Sequence, residues 1–276
     1  TIENTPKESR GRTWFEKLTK GKPSISSIPS VLVADSEIEG RPARFIAVVK
    51  NESNLYYRAR NGELGLLEGW AIAKYIREAI EEDSHLEHKR MIVPIVDVPG
   101  QAFGYHEELL GIYLSCSASI EAYATARLKG HPIISAIVGN AISGAFLAHG
   151  MQSNRLIALN DEGVNVHVMS KKSAALITQR TVEELEEASK ATPSIAYDIQ
   201  SFNKLGALFE IIENVQADTP SEEEVLKVQQ SIIRAVEDIK QDPTLDLSVR
   251  LCSNIAKQSG RRASIQVREM IDQQWK

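Results

Sequence analysis

Two loops that follow apolar strands carry the residue types best suited to chemistry. The first is VDVPGQAFG at 96–104, and the second is VGNAISGAF at 138–146. The second loop leads straight into a predicted helix, whose first N–H groups lack intrahelical partners and carry partial positive charge. Because Gly144 and Ala145 have little or no side chain, a ligand oxygen can approach their amides closely.

Two amides aimed at one oxygen predict an oxyanion site. Enolate formation on a thioester moves negative charge to the thioester oxygen, where losing one N–H donor costs ~3–4 kcal/mol of barrier. No side-chain nucleophile or metal is required. In the alternative, these junctions use small residues only for packing, and Asn140 only shapes the turn. The residues assigned to catalysis are Ser143, Gly144 and Ala145, and those assigned to substrate contact are Gly100, Gln101, Phe103, Gly104 and Asn140.

A serine hydrolase is a second possibility. Ser143 precedes a predicted helix, and His167 lies 24 residues further on. Asp161 or Asp198 is available to orient that histidine, which completes the residue types of a nucleophile, a base and an orienting carboxylate.

Charged side chains follow both loops. The first group is His106, Glu107 and Glu108. These side chains could take part in acid–base chemistry, and the alternative is that they form a solvated first turn of a helix. The second group is a basic cluster of Lys171, Lys172 and Arg180. It would suit binding of a phosphate or of an acidic carrier protein, and the alternative is a solvated surface.

Apolar runs predict the strands that position these loops. They lie at 31–34, 45–49, 91–98, 132–138, 155–159 and 164–169. Helices are predicted after Gly65 and over 105–128, and a turn is predicted at GNAISG, 139–144. From about 181 the pattern is helical, with capping boxes at Thr181/Glu184 and Ser221/Glu224, the second opening a helix over 222–240. Alternating strands and helices predict an α/β layered domain.

Composition excludes several classes of protein. A net charge of −5 argues against nonspecific nucleic-acid binding, which needs a basic field. No apolar run approaches the length of a membrane span. The two cysteines are typical of free thiols in a reducing cytoplasm. The histidines are scattered, so no metal site is predicted. The polar residues 1–28 predict a flexible arm that docks through Trp14 and Phe15.

Three segments resemble a known group of enzymes. The string IVDVPGQAFGYHEELLGI resembles the D-x-P-G-x-x-x-G-x-x-x-E-x-x-G-I element of acyl-CoA carboxylase carboxyltransferase domains, and GNAISGAFLAHG resembles their K-A-Y-G-G-A-Y element, with Ser143 replacing the first Gly of the pair. RLIALNDEGVNVHVM resembles their A-D-x-x-x-A-W-P-x-A-x-x-x-V-M segment. The order holds over roughly 30–180, and the chain most resembles the malonate decarboxylase gamma-subunit family. The residues that match the first element are Asp97, Pro99, Gly100, Gly104, Glu108, Gly111 and Ile112.

The resemblance implies a crotonase-like fold, a spiral of ββα units, over 29–276 with a helical C-terminal part from about 181. It implies an active site between this chain and a homologous beta subunit, with Gly144 and Ala145 in the oxyanion turn. The implied substrate is malonyl on the phosphopantetheine-type arm of an acyl carrier protein, or on CoA, and the products are the acetyl thioester and carbon dioxide. A transferase subunit is a further implied partner.

No tightly bound cofactor is expected in this chain, and the part played by biotin stays open. In biotin-dependent relatives the equivalent turn faces carboxybiotin. The departure at Ser143 leaves a third hypothesis, in which this subunit is a noncatalytic scaffold.

Overall fold

The computed structural model describes residues 9–169, 171–191, 195–242 and 244–275. In these ranges the strands are β1 Val31–Ile38, β2 Arg41–Val48, β3 Met91–Val98, β4 Ile134–Ile142, β5 Arg155–Leu159, β6 Val166–His167 and β7 Glu210–Ile212. They form one sheet in the order β1-β2-β3-β4-β5-β7, with β6 beside the end of β4. The β1–β2 pair is antiparallel and the other pairs are parallel.

Helices connect the parallel strands and cover the sheet. They are α1 Arg10–Thr19, α2 Leu66–Glu82, α3 Tyr105–Leu109, α4 Ile112–Leu128, α5 Ser143–Ala148, α6 Lys171–Thr178, α7 Val182–Ala191, α8 Ile199–Asn203, α9 Glu222–Gln241, α10 Val249–Cys252, α11 Asn254–Gln258 and α12 Arg262–Gln274. The strands β3 and β4 are buried at all but one position each, as expected for parallel strands covered on both faces. Their carboxyl ends lie at the same edge of the sheet, which brings the two motif loops together.

The end of β4 differs from the prediction. The expected turn at 139–144 is wrong, because β4 continues to Ile142 and α5 begins at the next residue. Ala141 and Ile142 pair with β6, and the Ala141 amide donates to the Asn165 carbonyl at 2.8 Å. The predicted strand at 164–169 is correspondingly only two residues long, since β5 already occupies the rest of that edge of β4.

The N-terminal segment contains a helix that packs on the sheet. Residues 1–8 lie outside the described residues, but Arg10–Thr19 form a helix whose Trp14, Phe15 and Leu18 are buried against the sheet. The Trp14 indole N–H donates to the Ala217 carbonyl at 2.9 Å. The predicted docking through Trp14 and Phe15 is therefore confirmed, because both aromatic side chains belong to the core, and a flexible arm over 1–28 stays a prediction. The extent of the domain, 29–276, stays a prediction.

The helical C-terminal part begins as predicted. The capping box at Thr181 and Glu184 forms, with backbone-to-side-chain bonds of 2.8 and 3.1 Å in the two directions. Ser221 and Glu224 form the second box at the start of α9. None of the described helices combines the length and apolarity needed to cross a membrane.

Candidate active site between two motif loops

The site is built around the junction of β4 and α5. Ile142 ends the strand in extended backbone, and Ser143 adopts a left-handed conformation with φ of 62°. A left-handed non-glycine residue is uncommon, and this one turns the chain sharply enough for the helix to begin without a loop. Gly144 is half-buried and Ala145 is fully buried.

The Gly144 and Ala145 amides have no hydrogen-bond partner in the part of the chain that the structure describes. They belong to the first turn of α5, so no earlier helical carbonyl faces them. Within the described residues, neither amide has a hydrogen-bond partner on the backbone or on a side chain. Buried N–H groups are rarely left unpaired, and a ligand oxygen as the partner of this pair stays a prediction.

Gln101 connects the first loop to this turn. Its side-chain oxygen lies so close to Gly144 that a Cβ added at Gly144 would overlap it. The loop is held by Leu64, whose N–H donates to the Gly100 carbonyl at 3.0 Å and whose carbonyl accepts from Ala102 at 2.8 Å. The structure therefore brings together Gly100, Gln101 and Gly144, three of the residues assigned to the site.

Asp97 fixes the relative position of the two loops. One carboxylate oxygen accepts the Asn140 amide at 3.1 Å, and the other accepts the Gly11 amide at 3.2 Å. A Cβ added at Gly139 would overlap this carboxylate, so glycine is needed for the close approach. The sequence marked Asp97 only as a motif match, because the spacing of the two loops does not indicate which amides the carboxylate accepts.

The first loop leads to a buried ion pair. Glu107 is 3% exposed and lies 3.1 Å from the Arg58 guanidinium. A solvated first turn is therefore wrong for Glu107, although His106 and Glu108 are exposed. A Cβ added at Gly104 would overlap both members of the pair, so Gly104 makes room for this ion pair.

An apolar cavity of about 230 Å³ lies beside α5. It is lined by Ser143, Gly144, Phe146, Leu147, Met151, Val166, His167, Val168, Ala196, Phe202 and Leu205. Phe103, which the sequence assigned to substrate contact, does not line this cavity and is 72% exposed.

His167 shares this cavity with Ser143 but no catalytic triad forms. Among the described residues, no hydrogen bond joins the two side chains. Met169 N–H donates to His167 Nδ1 at 3.2 Å, and the imidazole stacks on the Tyr197 ring at 3.8 Å. Burial lowers the pKa of His167, while hydrogen bonds to the backbone of Met169 and Ile195 act in the opposite direction.

Neither predicted orienting carboxylate reaches His167. Asp161 pairs with Arg10 at 2.8 Å, and Asp198 caps α8 by accepting the Ser201 amide at 2.8 Å. Tyr197, the side chain that does contact the imidazole, was missed by the sequence analysis. It lies 30 residues beyond His167, outside any periodic pattern.

One member of the predicted basic cluster is paired with an acid. Lys171 Nζ pairs with Glu186 at 2.9 Å and lies 5.5 Å from the Tyr197 ring centroid. Lys172 and Arg180 are exposed. A phosphate site at these three side chains stays a prediction.

Comparisons with known proteins identify relatives of this chain. The family description of the malonate decarboxylase gamma subunit matches residues 59–275. A malonyl-S-ACP:biotin-protein carboxyltransferase of Malonomonas rubra is 41% identical over 157 residues, which cover 56% of this chain and 54% of that protein. The chain thus matches about half the length of that curated relative.

Solved structures match over nearly the whole chain. A Pseudomonas malonate decarboxylase hetero-tetramer in complex with coenzyme A contains a chain that is 46% identical, with a TM-score of 0.90 and coverage of 97% of this chain and 100% of the other. A Pseudomonas MdcD-MdcE hetero-dimer gives 44% identity, a TM-score of 0.87 and coverage of 97% and 99%.

More distant structures share the fold alone. The transcarboxylase 12S core is 17% identical, with a TM-score of 0.62 over 84% of this chain and 41% of the other. The predicted crotonase-like α/β class is therefore confirmed. Because the family match covers well over half of its residues, the chain belongs to the malonate decarboxylase gamma subunit family.

Proposed function

We propose that this chain, together with a beta-type partner, decarboxylates a malonyl thioester. The observation that carries this proposal is the pair of free amides at Gly144 and Ala145 beside an apolar cavity. Hydrogen-bond donors aimed at the position where charge develops stabilise the transition state more than the ground state. An enolate oxygen meets that requirement.

The reaction follows from this placement. The thioester oxygen accepts hydrogen bonds from the two amides while the bond between the α-carbon and the carboxyl carbon breaks. The electron pair of that bond forms the enolate, and the carboxyl group leaves as carbon dioxide. A proton from water or from a group of the partner then converts the enolate to the acetyl thioester.

The malonyl group is carried on the phosphopantetheine-type arm of an acyl carrier protein. Support comes from the Malonomonas relative, whose name includes malonyl-S-ACP, and from the Pseudomonas relative that was solved with coenzyme A. A transferase subunit that loads the carrier is a further proposed partner. The Malonomonas name also includes a biotin protein, so transfer of the carboxyl group to biotin is the second outcome to be measured.

The substrate contacts assigned from sequence belong to the same proposal. Gln101 is the best supported, because its side-chain oxygen lies against Gly144. Gly104 acts indirectly, by making room for Arg58 and Glu107. The roles of Gly100, Phe103 and Asn140 stay predictions.

The beta-type partner covers an apolar surface next to the first loop. This surface comprises Phe103, Tyr105, Leu109, Leu110, Tyr113 and Leu114, each of which is more than half exposed. A contiguous exposed apolar patch marks an interaction site. A Pseudomonas relative is solved as an MdcD-MdcE hetero-dimer, and a partner seated here would adjoin Gln101 and Gly144.

A reconstitution experiment tests the proposal. Carboxyl-labelled malonyl carrier protein is incubated with this chain, with the beta-type partner, or with both, and the released carbon dioxide is counted. We expect release only from the mixture. Full release by this chain alone would contradict a shared site, and appearance of the label on an added biotin protein would identify carboxyl transfer.

Two further measurements separate the alternatives. Normal assembly and normal turnover of a Gly144→Val complex would favour the noncatalytic scaffold. Covalent labelling of Ser143 by a fluorophosphonate, under conditions that label a control hydrolase, would favour the serine hydrolase.

A further inference from the structure

The apolar cavity beside α5 is poorly suited to a carboxylate, because the proposed function assigns the neighbouring Gly144 and Ala145 amides to the thioester oxygen. Among the described residues that line it, none is lysine or arginine. Arg250 donates to the Met151 carbonyl at 2.8 Å but is buried and does not line the cavity. A carboxylate placed here would lose water without gaining a cation, which is unfavourable.

One polar ring, that of His167, lies in this wall, and burial lowers its pKa. His167 Nδ1 lies 3.2 Å from the Met169 amide nitrogen and 3.1 Å from the Met169 carbonyl oxygen, so the backbone of Met169 holds the ring. His167 pairs with Ile142 of β4, which directly precedes Ser143 and Gly144. His167 therefore lies next to the oxyanion turn.

Tyr197 supports this ring from outside the cavity. The two rings stack at 3.8 Å with an interplanar angle of 12°. The Tyr197 hydroxyl is buried and has no hydrogen-bond partner in the described part of the chain. Because an unsatisfied buried hydroxyl is costly, the aromatic ring, rather than its hydroxyl, accounts for the packing here.

We propose that this cavity receives the carboxyl group of the malonyl thioester and releases it as carbon dioxide, and that Tyr197 positions His167 as part of its wall. The inference rests on the proposed function and deepens it. The breaking carbon–carbon bond leaves its electron pair on the thioester fragment, so the departing group is neutral. The apolar wall disfavours the charged carboxylate and tolerates the uncharged product, which lowers the barrier between them.

A new cation at the rim tests the cavity. Leu147 lines it and is 50% exposed, so a lysine can be accommodated there. In the complex with the beta-type partner, Leu147→Lys should bind a malonyl thioester about tenfold more tightly, because the ammonium attracts the carboxylate, and should lower kcat. Binding of the acetyl thioester, which lacks that carboxylate, should not tighten.

The matched control is Leu147→Gln, which is polar but uncharged and should not tighten malonyl binding. Equal effects of Leu147→Lys on malonyl and acetyl binding, or no effect on either, would overturn the assignment of the cavity. These are binding measurements. If the wild-type complex released no carbon dioxide, the proposed function would fail while the ratio of malonyl to acetyl affinity still reported on the cavity.

Tyr197 is tested by size. Tyr197→Ala removes the ring that supports His167, and we expect kcat to fall about tenfold with little change in KM. Tyr197→Phe keeps the ring and should recover kcat. If the phenylalanine variant lost as much kcat as the alanine variant, or if alanine raised only KM, the positioning role would be wrong.

Discussion

The carboxylate of Asp97 and the backbone amide of Asn140 are joined by a hydrogen bond of 3.1 Å. This bond ties the carboxyl end of β3 to that of β4, and the second carboxylate oxygen accepts the Gly11 amide of α1. One side chain thereby links the two motif loops to the N-terminal helix. Gln101 and Gly144, which lie close together, belong to the two loops that this link joins.

We expect Asp97→Asn to destabilise the fold. An asparagine offers one acceptor and turns an N–H₂ donor toward a second amide, which leaves that amide unpaired at a cost of about 1–3 kcal/mol. The free energy of unfolding in urea measures the loss. Glu87→Gln, at an exposed acid, is the control. An Asp97→Asn protein as stable as the control would contradict the anchoring role.

We expect Gly144→Ala to act through Gln101. The added Cβ would overlap the Gln101 side-chain oxygen, and the flexible side chain would move away while the fold survives. The kcat for decarboxylation by the complex should fall. Gln101→Ala should lower kcat less in the Gly144→Ala background than in the wild type, since neighbouring residues couple by about 0.5–3 kcal/mol. Strictly additive effects on kcat would show that the two residues do not interact.

Ser143 tests both backbone strain and the hydrolase alternative. Its φ of 62° is unfavourable for a residue with a side chain, so Ser143→Gly should raise the free energy of unfolding by about 1 kcal/mol. Decarboxylation should persist, because amides hold the developing charge. A variant that unfolds more easily, or that loses all turnover, would contradict this account.

His149 makes stability depend on pH. The imidazole is fully buried between the Tyr123 hydroxyl, 3.0 Å away, and the Ile95 carbonyl, 3.1 Å away. Burial lowers the pKa of His149 to about 4. In the unfolded chain the His149 imidazole takes up a proton near pH 6.5, whereas in the folded chain it stays neutral until about pH 4. The free energy of unfolding should therefore fall by about 3 kcal/mol as the pH drops from about 6.5 to 4.

The measurement compares urea unfolding of the wild type and His149→Gln at pH 7 and pH 4.5. The variant should be less stable at pH 7 and should lose less stability on acidification. Equal losses in the two proteins would show that another group controls the pH dependence.

The elements with strong local signals were predictable from sequence. The buried run at 91–98 and both capping boxes formed as expected, because apolar runs and caps act over a few residues. The crotonase-like class came from the resemblance of three ordered segments rather than from periodicity. Gly144 and Ala145 were assigned to the site because small residues after a strand indicate where amides stay unpaired, and that assignment stays a prediction.

The contacts between distant segments were not predictable. Trp14 packs near Ala217, more than 200 residues away. The polar residues around Trp14 in the sequence do not indicate that its side chain is buried. The end of β4 is extended by pairing with Val166 and His167, and Tyr197 stacks on His167 from another loop. Each depends on tertiary proximity, which overrides local composition.

The most direct test of the central claim replaces the Ala145 amide by an ester, using lactic acid at that position in the full chain assembled with the beta-type partner. The change removes one N–H donor and keeps the side chain. We predict that kcat for carbon dioxide release from the malonyl thioester falls about 10²–10³-fold with assembly intact. An ester complex that turns over at the wild-type rate would contradict the oxyanion role of this turn.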